Sequence, residues 1–168
     1  MLLKLKKSCS SKVSFTRGFA QLVRGELNDK LSIGDYATVT RVFTSDQVIT
    51  FSDICGDKNP IHINEEAAAK TKFGKRIVHG ILVGSLFSDL CGNYFVGSIY
   101  VKQSLNFKAP VFLDEEVEGK IEVINLDHQR KRIFLNTTVR KIKEDKLAIT
   151  GEAEILYSLL KAPEQSNA

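Results

Sequence analysis

The sequence predicts an α+β fold in which one long antiparallel sheet wraps around a single apolar helix. Three observations carry that expectation. The second half of the chain is a succession of alternating, β-branched segments. One helical stretch, residues 76–92, is apolar nearly all round. Only one strand-like segment precedes it, and a helical insert separates the two. A chain of 168 residues is expected to hold one domain, here residues 26–160, with a leader over 1–25 and a loose tail over 161–168.

The first 25 residues carry Lys4, Lys6, Lys7, Lys12, Arg17 and Arg24 and no acid, which leaves 18 bases against 20 acids elsewhere. The net charge of +4 therefore belongs to the N-terminus, and the body is slightly acidic. Leu2, Leu3, Leu5, Val13, Phe15, Phe19, Leu22 and Val23 are interspersed among bases and serines. These are the traits of a cationic amphipathic presequence, so a mitochondrial matrix location is expected, with cleavage between residues 15 and 30. The apolar runs are too short for a secretory signal or a membrane span. A basic arm that solubilises the chain or binds nucleic acid is the alternative.

Residues 34–44, "GDYATVTRVFT", alternate as a strand, with Ala37, Val39, Arg41 and Phe43 on one side. "TSDQVITFSDICG" then offers Thr44 or Ser45 as a cap and Gly56 as a stop, so a helix is expected between them. Asn64 can cap a short helix through "EEAAAK", whose glutamates suit the positive helix end. The apolar helix follows, carrying Ile81, Leu82, Val83, Leu86, Phe87 and Leu90, and it is expected to be buried on all sides. Strands are then expected in "SIYVKQSLNF", "EEVEGKIEVINL", "KRIFLNTTVRKI" and "KLAITGEAEILYSL", separated by turns. A curved sheet around one helix is the hot-dog arrangement. Cys9, Cys55 and Cys91 have neither disulfide-framework nor CxxC spacing, and Cys55 and Cys91 read as small core residues.

The chemistry-bearing stretch is "CGDKNPIHINEEAAAK", residues 55–70. Pro60 biases Asn59 away from helical backbone, so Asp57 and His62 are expected on a constrained loop that faces both into one pocket. An ionised carboxylate beside a group that titrates near neutrality suits proton exchange between water and a neighbouring carbon. A turn aspartate and a packing histidine are the bland alternative. Gly80, at the start of the apolar helix, is the candidate oxyanion donor through its backbone N–H, because it lacks a Cβ. His79 and Ser85 are weaker candidates for lining the substrate pocket. Ser85 has no nucleophile-elbow sequence around it, which argues against a serine hydrolase.

"FSDICGDKNPIHINEEAA", residues 51–68, closely resembles the signature of the MaoC-like, (R)-specific enoyl-thioester hydratase family. Gly56, Asp57, Asn59, Pro60, Ile61 and His62 fill its fixed positions, and "VHGILVGS" resembles the start of that family's central helix. The resemblance spans residues 30–158. It implies a hot-dog fold, catalysis by Asp57 and His62 with support from Asn59, and no metal or organic cofactor. It also implies an acyl thioester substrate on acyl carrier protein or coenzyme A and a homodimer. Beside a presequence, the resemblance is to the mitochondrial type 2 dehydratases of fatty acid synthesis. The rivals are a hot-dog thioesterase and a non-catalytic acyl- or nucleic-acid-binding module. Aromatics interleaved with bases are not evident, so no nucleic-acid partner is expected. Bases at "QRKRIF" with Lys141, Lys143 and Lys146 read as a solvated face, or otherwise as a dock for coenzyme A phosphates or an acidic carrier.

Overall fold

The computed structural model describes residues 21–24 and 31–160. The expected leader and tail lie outside them, apart from Gln21–Arg24, which form strand β1. The next strand, β2 (Tyr36–Val42), alternates as its sequence requires, with Ala37 and Val39 buried and Tyr36 outward. Helix α1 (Ser45–Cys55) begins where Thr44 and Gln47 form a reciprocal capping box and ends at Gly56 in the left-handed region, φ 79°. Its Val48 and Ser52 reach the core, but Ile54 and Cys55 stay exposed. Cys55 is thus not the core residue expected, because it falls on the outer side of the last turn; Cys91 is buried as expected.

Two short helices follow, α2 (Pro60–Ile63) and α3 (Glu65–Ala69). Asn64 caps the second by accepting from the Ala67 N–H, as anticipated. The apolar helix is built from α4 (Gly80–Gly84) and α5 (Leu86–Tyr94), joined at Ser85 by Ser85 N–H to Ile81 O and Asp89 N–H to Ser85 O bonds. Strands β3 (Ile99–Gln103), β4 (Asn106–Phe107), β5 (Glu116–Asp127), β6 (Arg132–Lys141) and β7 (Lys146–Leu156) complete the sheet.

The strand order is β1-β2-β5-β6-β7-β3, with β4 beside β7, and every pairing is antiparallel. The meander expected of the last four segments therefore holds only for β5 to β7. β3 sits at the far edge and pairs back onto β7. The chain between β3 and β4 passes so close to β7 that a Cβ on Gly151 would lie 1.8 Å from the Ser104 carbonyl oxygen. Glycine is required there by a backbone crossing, not by a turn.

Leu86, Phe87, Leu90 and Cys91 press the helix onto the inner face of the sheet, among Val39, Val117, Ile121 and Leu135. Gly119 admits it closely, since a Cβ there would stand 3.0 Å from Leu86 Cβ. The helix is nevertheless not buried on all sides. Ile81 is 59% exposed, and Ser85 and Ser88 are also open to solvent. One chain contributes one sheet, and a sheet covers one flank of a helix.

Of the late-strand bases, Lys143 and Lys146 are exposed, but others are paired within the chain. Lys141 is buried, with its Nζ 3.0 Å from both Glu115 and Glu144. Burial works against its charge, but the Glu144 and Glu115 contacts outweigh it and raise its pKa. Arg132 pairs with Glu154 and Arg140 with Asp145. Among the described residues no helix is long and apolar enough to cross a membrane.

Candidate active site

After Gly56 ends α1, side chains hold the next turn in shape. Asp57 Oδ1 accepts the Asn59 N–H at 3.1 Å, and Asn59 Oδ1 accepts the Ile61 N–H at 3.2 Å. With Asn59 as its cap and Pro60 at its first position, the chain turns into α2 and carries His62 inward. His62 thus sits on a one-turn helix and not on the loop expected from Pro60, because proline disfavours helix before itself and favours its start.

His62 is buried, and its Nδ1 donates to the Ile77 carbonyl at 2.8 Å, since a carbonyl only accepts. That bond fixes the neutral tautomer with its lone pair on Nε2, which lies 3.8 Å from Asp57 Oδ2. Burial is the largest influence on the ring and lowers its pKa; the Ile77 bond opposes it, His79 reinforces it and Asp57 opposes it. Neutral Nε2 and the carboxylate Oδ2 are both acceptors, separated by more than a direct hydrogen bond. A water molecule can satisfy both with its two hydrogens.

His79, 3% exposed, stacks on His62 with ring centroids 3.9 Å apart and planes inclined by 28°. Its Nε2 donates to the Asp57 carbonyl at 3.0 Å, and Phe51 packs edge-on against it at 5.3 Å. Arg76 secures the other side: Nε donates to the His62 carbonyl at 2.7 Å and Nη1 to Ser45 Oγ at 3.1 Å. The histidines are therefore held by main-chain contacts from both directions.

Asp57, His62 and His79 offer ligand-type atoms within 4.8 Å of one another. The arrangement does not suit a metal ion. Imidazole lone pairs lie in the ring planes, and in stacked rings they run side by side without converging. His62 Nδ1 and His79 Nε2 donate to carbonyls, which leaves His62 Nε2 and the buried His79 Nδ1 as the free ring nitrogens.

His62 opens on a cavity of about 480 Å3 that Gly80, Ile81, Ile77, Phe107 and Lys108 help to line. A Cβ on Gly80 would stand 2.6 Å from the Phe107 ring, so the helix start cannot carry a side chain without displacing that ring. Ser85 is elsewhere: its hydroxyl donates to the Leu82 carbonyl at 2.6 Å, and it borders a second cavity of about 360 Å3 with Arg41, Phe51 and Asp89. The structure thus brings Asp57, Asn59, His62, His79 and Gly80 together and leaves Ser85 on another wall. Sequence reading missed three contributors. Ile77 acts through its carbonyl, which residue identity does not encode; Arg76 resembled any surface base; Phe107 read as an ordinary strand residue.

Comparison with known proteins identifies the family. A family model described as a MaoC like domain matches residues 30–145. The (R)-specific enoyl-CoA hydratase of Aeromonas caviae is 41% identical over 127 residues, covering 74% of this chain and 94% of that protein. The mitochondrial 3-hydroxyacyl-[acyl-carrier-protein] dehydratase of Arabidopsis thaliana is 34% identical over 125 residues, with 73% and 75% covered. The solved structure of an (R)-hydratase from A. caviae involved in PHA biosynthesis superposes with a TM-score of 0.73 at 38% identity, covering 76% of this chain and 98% of that one. On these matches the chain belongs to the MaoC-like hydratase and dehydratase family, as a hot-dog carbon–oxygen lyase.

Proposed function

We propose that the enzyme interconverts (R)-3-hydroxyacyl and trans-2-enoyl thioesters, working as a dehydratase on acyl carrier protein in mitochondrial fatty acid synthesis. The observation that carries this reading is the pair of acceptors, Asp57 Oδ2 and His62 Nε2, set 3.8 Å apart with His62 opening on a cavity large enough for an acyl thioester. In hydration the pair orients one water by its two hydrogens and aims its oxygen at C3. The water loses one proton to the pair as its oxygen bonds to C3, and C2 takes up one proton, so one water is added in all. Dehydration reverses each transfer. Charge that builds on the thioester oxygen is met by backbone N–H at the start of the apolar helix, with Gly80 as the donor.

Two further features belong to this reading. The open flank of the helix and the exposed apolar Ile81, Ile99, Val101 and Phe107 suit a homodimer that covers them. A matrix location is supported by the basic, acid-free N-terminus and by the mitochondrial relatives from Arabidopsis thaliana and Solanum lycopersicum. Since Gln21–Arg24 pair with Ala37–Thr40 in the sheet, we place the leader's end ahead of Gln21. N-terminal sequencing of protein recovered from mitochondria checks that boundary.

The reaction is tested by following loss of the enoyl chromophore of crotonyl thioesters while free thiol is titrated in parallel. Loss of chromophore without thiol release is the expected result. Thiol release in step with substrate loss would identify a thioesterase, and no turnover would leave an acyl-binding module.

A further inference from the structure

Two lysines stand at the catalytic cavity with no ion-pair partner among the described residues. Lys72, in the segment after α3, and Lys108, directly after β4, both line the space that His62 and Gly80 border. Among the described residues they are the only lysines or arginines lining it, and no carboxylate lines it. Several other cations of the body are paired, Arg41 with Asp89, Lys58 with Asp53, Lys120 with Glu122, Arg132 with Glu154, Arg140 with Asp145, and Lys141 with two glutamates, but none of these lines the cavity. Neither Lys72 nor Lys108 has a carboxylate within 4 Å among the described residues. The nearest recorded contact of Lys72 is the neighbouring Phe73 ring, 5.2 Å from its Nζ. Both side chains are exposed.

We propose that Lys72 and Lys108 form an anion-binding rim that receives the phosphate on the carrier arm of the thioester. This deepens the proposed function and rests on its thioester substrate. Two like charges from separate segments repel unless an anion lies between them, and low-dielectric walls focus their field into the opening. Coenzyme A and acyl carrier protein both present a phosphate at the far end of the pantetheine arm, so one rim serves either source. Ammonium groups on flexible stems act as point charges and tolerate both. The rim lies at the mouth of the catalytic cavity, whereas none of the late-strand bases lines it, and Lys141, Arg132 and Arg140 among them are already paired.

The test uses the full chain and its Lys72→Gln, Lys108→Gln double variant, which keeps much of each aliphatic stem. Three crotonyl thioesters are compared: on coenzyme A, on acyl carrier protein, and on N-acetylcysteamine, which ends before the phosphate. The expected result is a KM about fivefold or more higher on the phosphate-bearing carriers, with kcat unchanged and the N-acetylcysteamine substrate unaffected. The wild-type KM should rise with ionic strength, and the variant's should rise much less. A KM effect on both carriers assigns the rim to the shared phosphate, and one confined to coenzyme A assigns it to that molecule's additional phosphates. Unchanged KM on both, or an equal loss on the truncated thioester, overturns the proposal. Calorimetric binding of coenzyme A separates the two readings: lysine-dependent binding without wild-type turnover would overturn the reaction and leave the rim, whereas turnover with lysine-independent binding would do the reverse.

Discussion

The two flanks of the central helix behave as different kinds of surface. On the sheet flank Leu86, Phe87, Leu90 and Cys91 are all but inaccessible and interdigitate with β2, β5 and β6. On the other flank Ile81, Ser85 and Ser88 meet solvent, and His62, Gly80 and Phe107 border an open cavity. One flank therefore carries stability, and the other is free to carry chemistry. Active groups held on the open flank also need support from behind, which the main-chain bonds of His62, His79 and Arg76 supply.

This division predicts that substitutions separate activity from stability. The largest effect expected is on turnover: Asp57→Asn and His62→Ala should each lower kcat by at least ~100-fold. Asp57→Asn should leave the melting temperature nearly unchanged, because its side chain is about half exposed (54%). Steady-state kinetics beside thermal melts would show it. On the closed flank Leu90→Ala should cost about 2–5 kcal/mol of stability by denaturant titration, with kcat per folded molecule retained. Gly151→Ala sharpens the same side, because its methyl would enter the Ser104 carbonyl and force the β3–β4 crossing apart, at roughly 1–3 kcal/mol. Ile81→Ser should change monomer stability by no more than about 1 kcal/mol while weakening self-association, read by sedimentation at several concentrations.

The smallest effect concerns pH. Burial lowers the His62 pKa, so the unfolded chain takes up its proton first as pH falls. The folded state then loses stability from about pH 6.5, the ordinary histidine value, down to the folded pKa, and no further below it. Removing the group in His62→Gln should flatten that part of the stability curve. The acid limb of kcat/KM should likewise lie below 6.5, since the neutral ring is the acceptor.

What the sequence disclosed follows the range of the interactions involved. Helix α1 was legible at both ends because its cap, Thr44 with Gln47, and its stop, Gly56, act within a few residues. Alternation located β5, β6 and β7, whose pairing is between neighbours in the chain. The string from Gly56 to His62 identified its own segment because its residues bond to one another. Long-range geometry was hidden. Nothing local sends β3 across the sheet to β7, stacks His79 on His62, or buries Lys141 between Glu115 and Glu144. The all-round apolar pattern of the helix was misread for a related reason: composition signals an apolar surface, but not which flank of it the chain's own sheet covers.

The most direct test of the central claim is chiral analysis of the product formed from crotonyl thioester by the full chain, beside Asp57→Asn and His62→Ala of verified fold. The expected result is the (R)-3-hydroxybutyryl thioester from the wild type and almost none from either variant. An (S) or racemic product, or undiminished turnover by folded Asp57→Asn, would contradict it.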